Sequence, residues 1–211
     1  MASRTIMIVG NGSVPPGGAA FIDAADIVIR FNDCRSVGAG GGKTDIVAVC
    51  NTGRPARAML HGDGWKTNPA VLHAREIWSV RSGEKFASMR DELVKTYPDL
   101  SDFCDDYTDE FAAFAAAAGL SHRVIPASVH EQLDRDLARF SPAPYVVPSS
   151  GMVAIADVLL GFAKPGDDVV LTGFDHIGWE LHPFAAEKQL VENWIVEGRL
   201  RRLRSSRADI A

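Results

Sequence analysis

The stretch Ile6-Met7-Ile8-Val9-Gly10-Asn11-Gly12-Ser13 decides the fold: four apolar residues run straight into a glycine turn. A short run apolar on both alternating faces predicts a strand covered on both sides, as in a parallel sheet flanked by helices. Residues 27–31 and 46–50 repeat the pattern, dense in Ile and Val and bounded by Gly, Asp or Asn. Further strands are expected at 77–80, 124–126, 145–147 and 169–172. Helical patterning fills 84–95, 102–118, 131–140, 151–162 and 183–196. Strands interleaved with helices predict the α/β class, here one Rossmann-like domain over residues 1–211 with a mainly parallel sheet and helices on both faces. Residues 14–18 and 52–68, rich in Gly and Pro, read as irregular, and a loop as long as the second is usually functional or mobile.

The composition narrows the partners. With 211 residues and 46% hydrophobic content, the chain can bury a full core. Its net charge of -5 and pI of about 5.7 argue against nucleic acid. The basic tail, about 199–211, holds Arg199, Arg201, Arg202, Arg204 and Arg207 and reads as a solvated helix end. Cys34, Cys50 and Cys104 form neither a zinc spacing nor an even-numbered framework, which predicts reduced thiols. No signal peptide and no apolar run of membrane-spanning length is visible, so the expected setting is cytoplasmic. The six histidines are scattered and no HExxH occurs, so no metal or other cofactor is expected. Asp134-Arg135-Asp136 falls on a polar helical stretch and reads as solvated surface.

Four segments can carry chemistry. Gly10-Asn11-Gly12 ends the first strand, where α/β sheets bind ligands and glycine lets backbone approach closely. It is no dinucleotide fingerprint, because Pro15 stands where GxGxxG needs glycine. Asn32 ends the second strand. If the two strands are neighbours, the Asn11 and Asn32 amides leave the sheet at one edge and can donate to one phosphate; a plain turn role for Asn32 fits the spacing equally. Ser149-Ser150-Gly151 precedes a helical stretch, so one serine can cap while the other meets a ligand. In the segment from Gly173 to Pro183, Pro183 fits the first helical position and makes His182 the expected N-cap, neutral and able to take a proton. The glycine run from Gly38 to Gly42 fails as a P-loop because it opens a strand, and reads as a flexible connection.

In order along the chain, these segments resemble the sialylmotifs of the animal-type sialyltransferases, glycosyltransferase family 29. Val9-Gly10-Asn11-Gly12, Asp26 to Asn32 and Lys43-Thr44-Asp45 are similar to the large motif. Pro148-Ser149-Ser150-Gly151-Met152, running on to Leu171-Thr172-Gly173-Phe174, is similar to the small motif. His182 and Glu187 match the His-x4-Glu of the very small motif. The resemblance implies inverting, metal-independent transfer from a CMP-activated sugar to an unknown hydroxyl acceptor. His182 would be the general base, and Glu187 is carried over with it as a catalytic position. Gly10, Asn11, Gly12, Ser13, Asn32, Ser149, Ser150, Gly151, Gly173, Phe174, His176 and Trp179 would bind the donor. No counterpart of the membrane anchor or of the disulfide of those enzymes is expected, and the segment between the small and very small motifs is shortened. The whole chain also resembles bacterial proteins labelled urease operon accessory protein, a label for gene neighbourhood. The alternative is therefore a non-catalytic nucleotide-binding accessory protein that has lost acceptor binding.

Overall fold

The computed structural model describes residues 3–203. Strands β1 (Thr5–Val9), β2 (Ile27–Phe31), β3 (Ile46–Val49), β4 (Glu76–Ser79), β5 (Ser121–Val124), β6 (Asp168–Thr172) and β7 (Arg201–Arg202) form one sheet in the order β5-β4-β3-β2-β1-β6-β7. Every neighbouring pair is parallel. Eight α-helices join them: α1 (Gly18–Ala24), α2 (Gly53–His61), α3 (Pro69–Leu72), α4 (Gly83–Thr96), α5 (Thr108–Ala117), α6 (Ala127–Ala138), α7 (Ser150–Asp157) and α8 (Phe184–Val196).

The two faces of the sheet sort by strand alternation. Ile6 and Ile8 of β1, Ile46 and Ala48 of β3 and Trp78 of β4 face α6, α7 and α8 in the largest core. Their neighbours turn the other way. Met7 and Val9 pack on α1, while Val47, Val49 and Ile77 pack on α2, α3 and α5. The chain begins mid-sheet, builds outward from β1 to β5, then returns through α6 and α7 to place β6 on the other flank of β1. Such a reversal leaves a crevice at the carboxyl ends of the two strands, the usual ligand position in open α/β sheets.

Several sequence expectations give way to the structure. Residues 145–147 form no strand: Pro144 and Pro148 bracket them and offer no N–H, and Val146 N instead donates to Leu181 O at 3.0 Å. The edge strand β5 is the polar run Ser-His-Arg-Val, which an apolar-run criterion meets only at its last residue. Residues 52–68 are not irregular, because α2 and a 3-10 turn at Trp65–Thr67 occupy most of them. Residues 102–107 form turns with a bridge from Thr52 to Asp106, so α5 starts only at Thr108. The glycine run is pinned: buried Arg30 donates to Lys43 O, Thr44 Oγ1 and Gly40 O, and Asp23 accepts from Gly42 N and Lys43 N. Arg199 lies beyond the end of α8, and Arg201 and Arg202 are an edge strand held by Asp168 and Glu192, so they do not end a helix. Arg204 and Arg207 lie outside the described residues.

Candidate functional site

A cleft of about 580 Å³ opens where β1 and β6 end. Gly10 N donates to Thr172 O at 2.9 Å and Gly12 N to Gly173 O at 2.8 Å, so the two strand-end turns are stitched together. Asn11 follows, half-buried, with Nδ2 3.4 Å from Phe31 O at the end of β2. Its Oδ1 is buried and has no protein partner, a state that native interiors rarely leave unfilled.

Asn32 fills the turn role that the sequence leaves open. Its φ of 50° and the bond from Cys34 N to Phe31 O make it part of a turn. Its Oδ1 accepts from Cys50 N at 2.9 Å, and its backbone carbonyl accepts from Trp65 Nε1 at 2.8 Å. Asn32 lines the cleft together with Asn11.

The start of α7 forms the opposite wall. Ser149 caps the helix, its Oγ accepting from Met152 N at 3.2 Å. The same hydroxyl donates to Glu187 Oε2 at 2.7 Å, and Ser149 N donates to Glu187 Oε1 at 2.6 Å. Glu187 is 1% exposed, one turn into α8, and burial raises its carboxyl above the ordinary value against these two bonds. Its oxygens are therefore spent on holding α7 against α8. Ser150 lines the cleft beside Gly151.

His182 does not cap α8. Pro183 is the N-cap, and His182 stands one residue earlier, in the loop that pairs with residues 146 and 147. Its Nδ1 lies 2.8 Å from Val147 O. A carbonyl only accepts, so the neutral ring carries its proton on Nδ1 and its lone pair on Nε2. Burial lowers its pKa below the ordinary 6.5, the Val147 bond opposes, and the charge of Arg81 lowers it further. The ring is fixed edge-on between Trp179 and Phe184, centroids 5.0 and 5.4 Å away. A neutral, oriented imidazole with a free lone pair is what a general base requires.

Thus Gly10, Asn11, Gly12, Asn32, Ser149, Ser150, Gly151, Gly173, Phe174, His176, Trp179, His182 and Glu187, far apart in sequence, line one cleft. Ser13 is the exception: it is exposed at the rim, its N donating to Asp175 Oδ2. His176 adopts a φ of 51° and sits 3.4 Å from Arg202 Nη2.

A second pocket of about 340 Å³ adjoins the first, and Asn32, Ser150, Trp179 and His182 line both. Its remaining wall includes Arg54, Arg81 and Phe103, none of which the motif reading selects. Arg81 was within reach of sequence reasoning, since it follows a strand at the same carboxyl edge as Asn11 and Asn32. Phe103 was not, because its segment reads as helix. Among the described residues, no group of three or more potential ligands assembles around a metal position, and no helix is long and apolar enough to cross a membrane. Cys34, Cys50 and Cys104 are buried and unpaired.

Comparison with known proteins places the fold. No family model matches the chain. It is similar to a mammalian sialyltransferase, with a TM-score of 0.57 and 15% identity over 97% of this chain and 70% of that one. It is also similar to the sialyltransferase CstII from Campylobacter jejuni, solved with cytidine-5'-monophosphate, with a TM-score of 0.52 and 14% identity over 95% and 79% of the two chains. The fold is therefore that of a sialyltransferase-like α/β domain. In sequence, the chain is 65% identical over 202 residues to the urease operon 23 kDa accessory protein of Rhizobium meliloti (strain 1021), covering 96% of this chain and 94% of that one. It belongs to the family of that accessory protein.

Proposed function

We propose that the chain is an inverting glycosyltransferase that uses a CMP-activated sugar without a metal ion. The observation that carries this reading is the position of His182 on the wall shared by two adjoining pockets. A transfer reaction needs a donor on one side of its base and an acceptor on the other. The larger cleft takes the donor. Asn11 and Asn32 meet its phosphate, and Ser150 and the α7 N-terminus meet the nucleotide or the sugar carboxylate. The acceptor hydroxyl lies at His182. Its oxygen attacks the anomeric carbon as the carbon–phosphate-oxygen bond breaks, its proton passes to Nε2, and CMP leaves with the bonding pair.

Two measurements test this. Calorimetry with CMP in the presence of a chelator is expected to show binding in the low-micromolar to millimolar range. His182→Ala is expected to lower transfer or donor hydrolysis by about 10²–10⁴-fold while CMP affinity stays within about threefold. Absence of chelator-resistant CMP binding at millimolar ligand sinks the proposal. The name of the 65%-identical relative favours a second reading, an accessory protein, and on that reading the cleft binds a nucleotide without turnover. Zero transfer across a broad hydroxyl panel, with a protein partner whose affinity responds to CMP, selects it.

A further inference from the structure

The second pocket carries a specificity element of its own. Arg81 is 6% exposed, and no carboxylate among the described residues pairs with it. Its backbone is clamped by fully buried Asn51, whose Oδ1 accepts from Arg81 N at 2.8 Å and whose Nδ2 donates to Arg81 O at 2.9 Å. The guanidinium lies against the Phe103 ring, 4.5 Å from its centroid, and donates from Nη1 to Thr52 Oγ1 at 2.5 Å. Among the described residues Nε and Nη2 have no hydrogen-bond partner, and Arg81 lines the pocket. Those two nitrogens form one edge of the guanidinium. Elsewhere in the molecule the same edge grips a carboxylate, Arg201 on Asp168 and Arg202 on Glu192.

A buried cation held this firmly in a pocket wall, with its bidentate edge unpaired among the described residues, is a ready receptor for a planar oxyanion. The other charges of the pocket do not compete for it. Asp102 is taken by Arg54 at 2.9 Å and approached by Arg57 at 3.9 Å. Phe103 and Trp179 stack with centroids 5.4 Å apart, and both line the pocket beside the cation. The geometry points to an acidic acceptor: a carboxylate-bearing sugar whose carboxylate is held by the Nε/Nη2 edge of Arg81, whose ring packs beside Trp179, and whose hydroxyl reaches His182. The assignment of this pocket to the acceptor rests on the transferase reading, whereas the carboxylate preference rests on Arg81.

The test is a titration of the full-length protein with galacturonate and with galactose, with and without CMP, followed by the NMR signal of the Trp179 indole. Galacturonate is expected to shift that signal, galactose is not, and Arg81→Gln is expected to weaken the uronate response by about tenfold or more. Equal responses to the two sugars overturn the inference, as does no uronate response up to its solubility or an undiminished response in Arg81→Gln. If Arg81→Gln does not fold, the wild-type comparison of uronate with neutral sugar decides alone. Loss of CMP binding with an intact Arg81-dependent uronate response removes the transferase reading and leaves the anion pocket standing. CMP binding without a uronate response does the reverse.

Discussion

Gly10 and Gly173 meet backbone to backbone where β1 and β6 end. A Cβ on Gly173, whose φ is 72°, would stand 2.7 Å from Gly10 O, and a Cβ on Gly10 would collide with Gly173 O. Neither contact can relax without parting the strand ends, so Gly10→Ala is expected to destabilise by about 1–3 kcal/mol or more and to weaken CMP binding with it. Urea denaturation and calorimetry check both, and unchanged stability would mean that the two turns separate freely. Glu187 accepts from Ser149 N and Oγ, and on the transferase reading it is expected to act as a positioning residue. Replacement by Gln keeps the volume but leaves one oxygen for two donors, at an expected loss of about 1–3 kcal/mol in stability. In a transfer assay, a Glu187→Gln defect should follow CMP affinity, leaving the pH profile in place; a displaced profile would mark a proton-transfer role instead. For His182, the lowered pKa has a functional sign. The ring stays neutral as pH falls through 6.5, so transfer should hold level there and decline only below it.

At the scale of elements, the helices that build the cleft are joined by side chains as much as by their loops. The start of α7 is held by Ser149 and, through it, by Glu187 of α8. Gly151 in its first turn lies against Phe174, where an added Cβ would stand 2.6 Å from Cε1. Phe174 in turn meets Phe31 edge-on, centroids 5.6 Å apart. Gly151→Ala should therefore push Phe174 toward the cleft, lowering CMP affinity by more than it lowers stability. Equal small effects on both would show that the ring swings away without cost. The segment 145–148 belongs to this assembly, although its apolar sequence suggested a strand. It pairs with residues 181 and 182, and so supplies the carbonyl that fixes the His182 tautomer.

Across the whole molecule, His122, His130, His176 and His182 all have pKa values lowered from 6.5, with burial as the first cause. Below 6.5 the unfolded chain takes up these protons before the folded one does, so stability falls as pH falls through that region. Glu187, raised from 4.5, has the opposite slope above its unfolded value, but it is one group against four. The urea midpoint should therefore drop between neutral pH and about one unit below 6.5, and a constant or rising midpoint would contradict these burials. Much of this molecule is legible in its sequence. The alternation of short Ile/Val runs with helical segments set the α/β class, because a strand buried on both faces must be apolar on both. The strand-end positions of Gly10, Asn11, Asn32 and Gly173 follow from the same runs, since a parallel sheet places all its carboxyl ends on one edge. Local pattern said nothing reliable about β5 and β7, whose polar residues lie at sheet edges where burial imposes no apolar signature. Nor did it find α2, whose Gly, Pro and Arg residues become helical on packing Ala56, Met59 and Leu60 into the core. Only the tertiary structure spent Glu187 on Ser149, moved His182 out of the helix cap, and set Arg81 without a counter-charge beside it. Those outcomes depend on which side chains are brought within hydrogen-bonding distance across the fold, and spacing along the chain does not encode that distance.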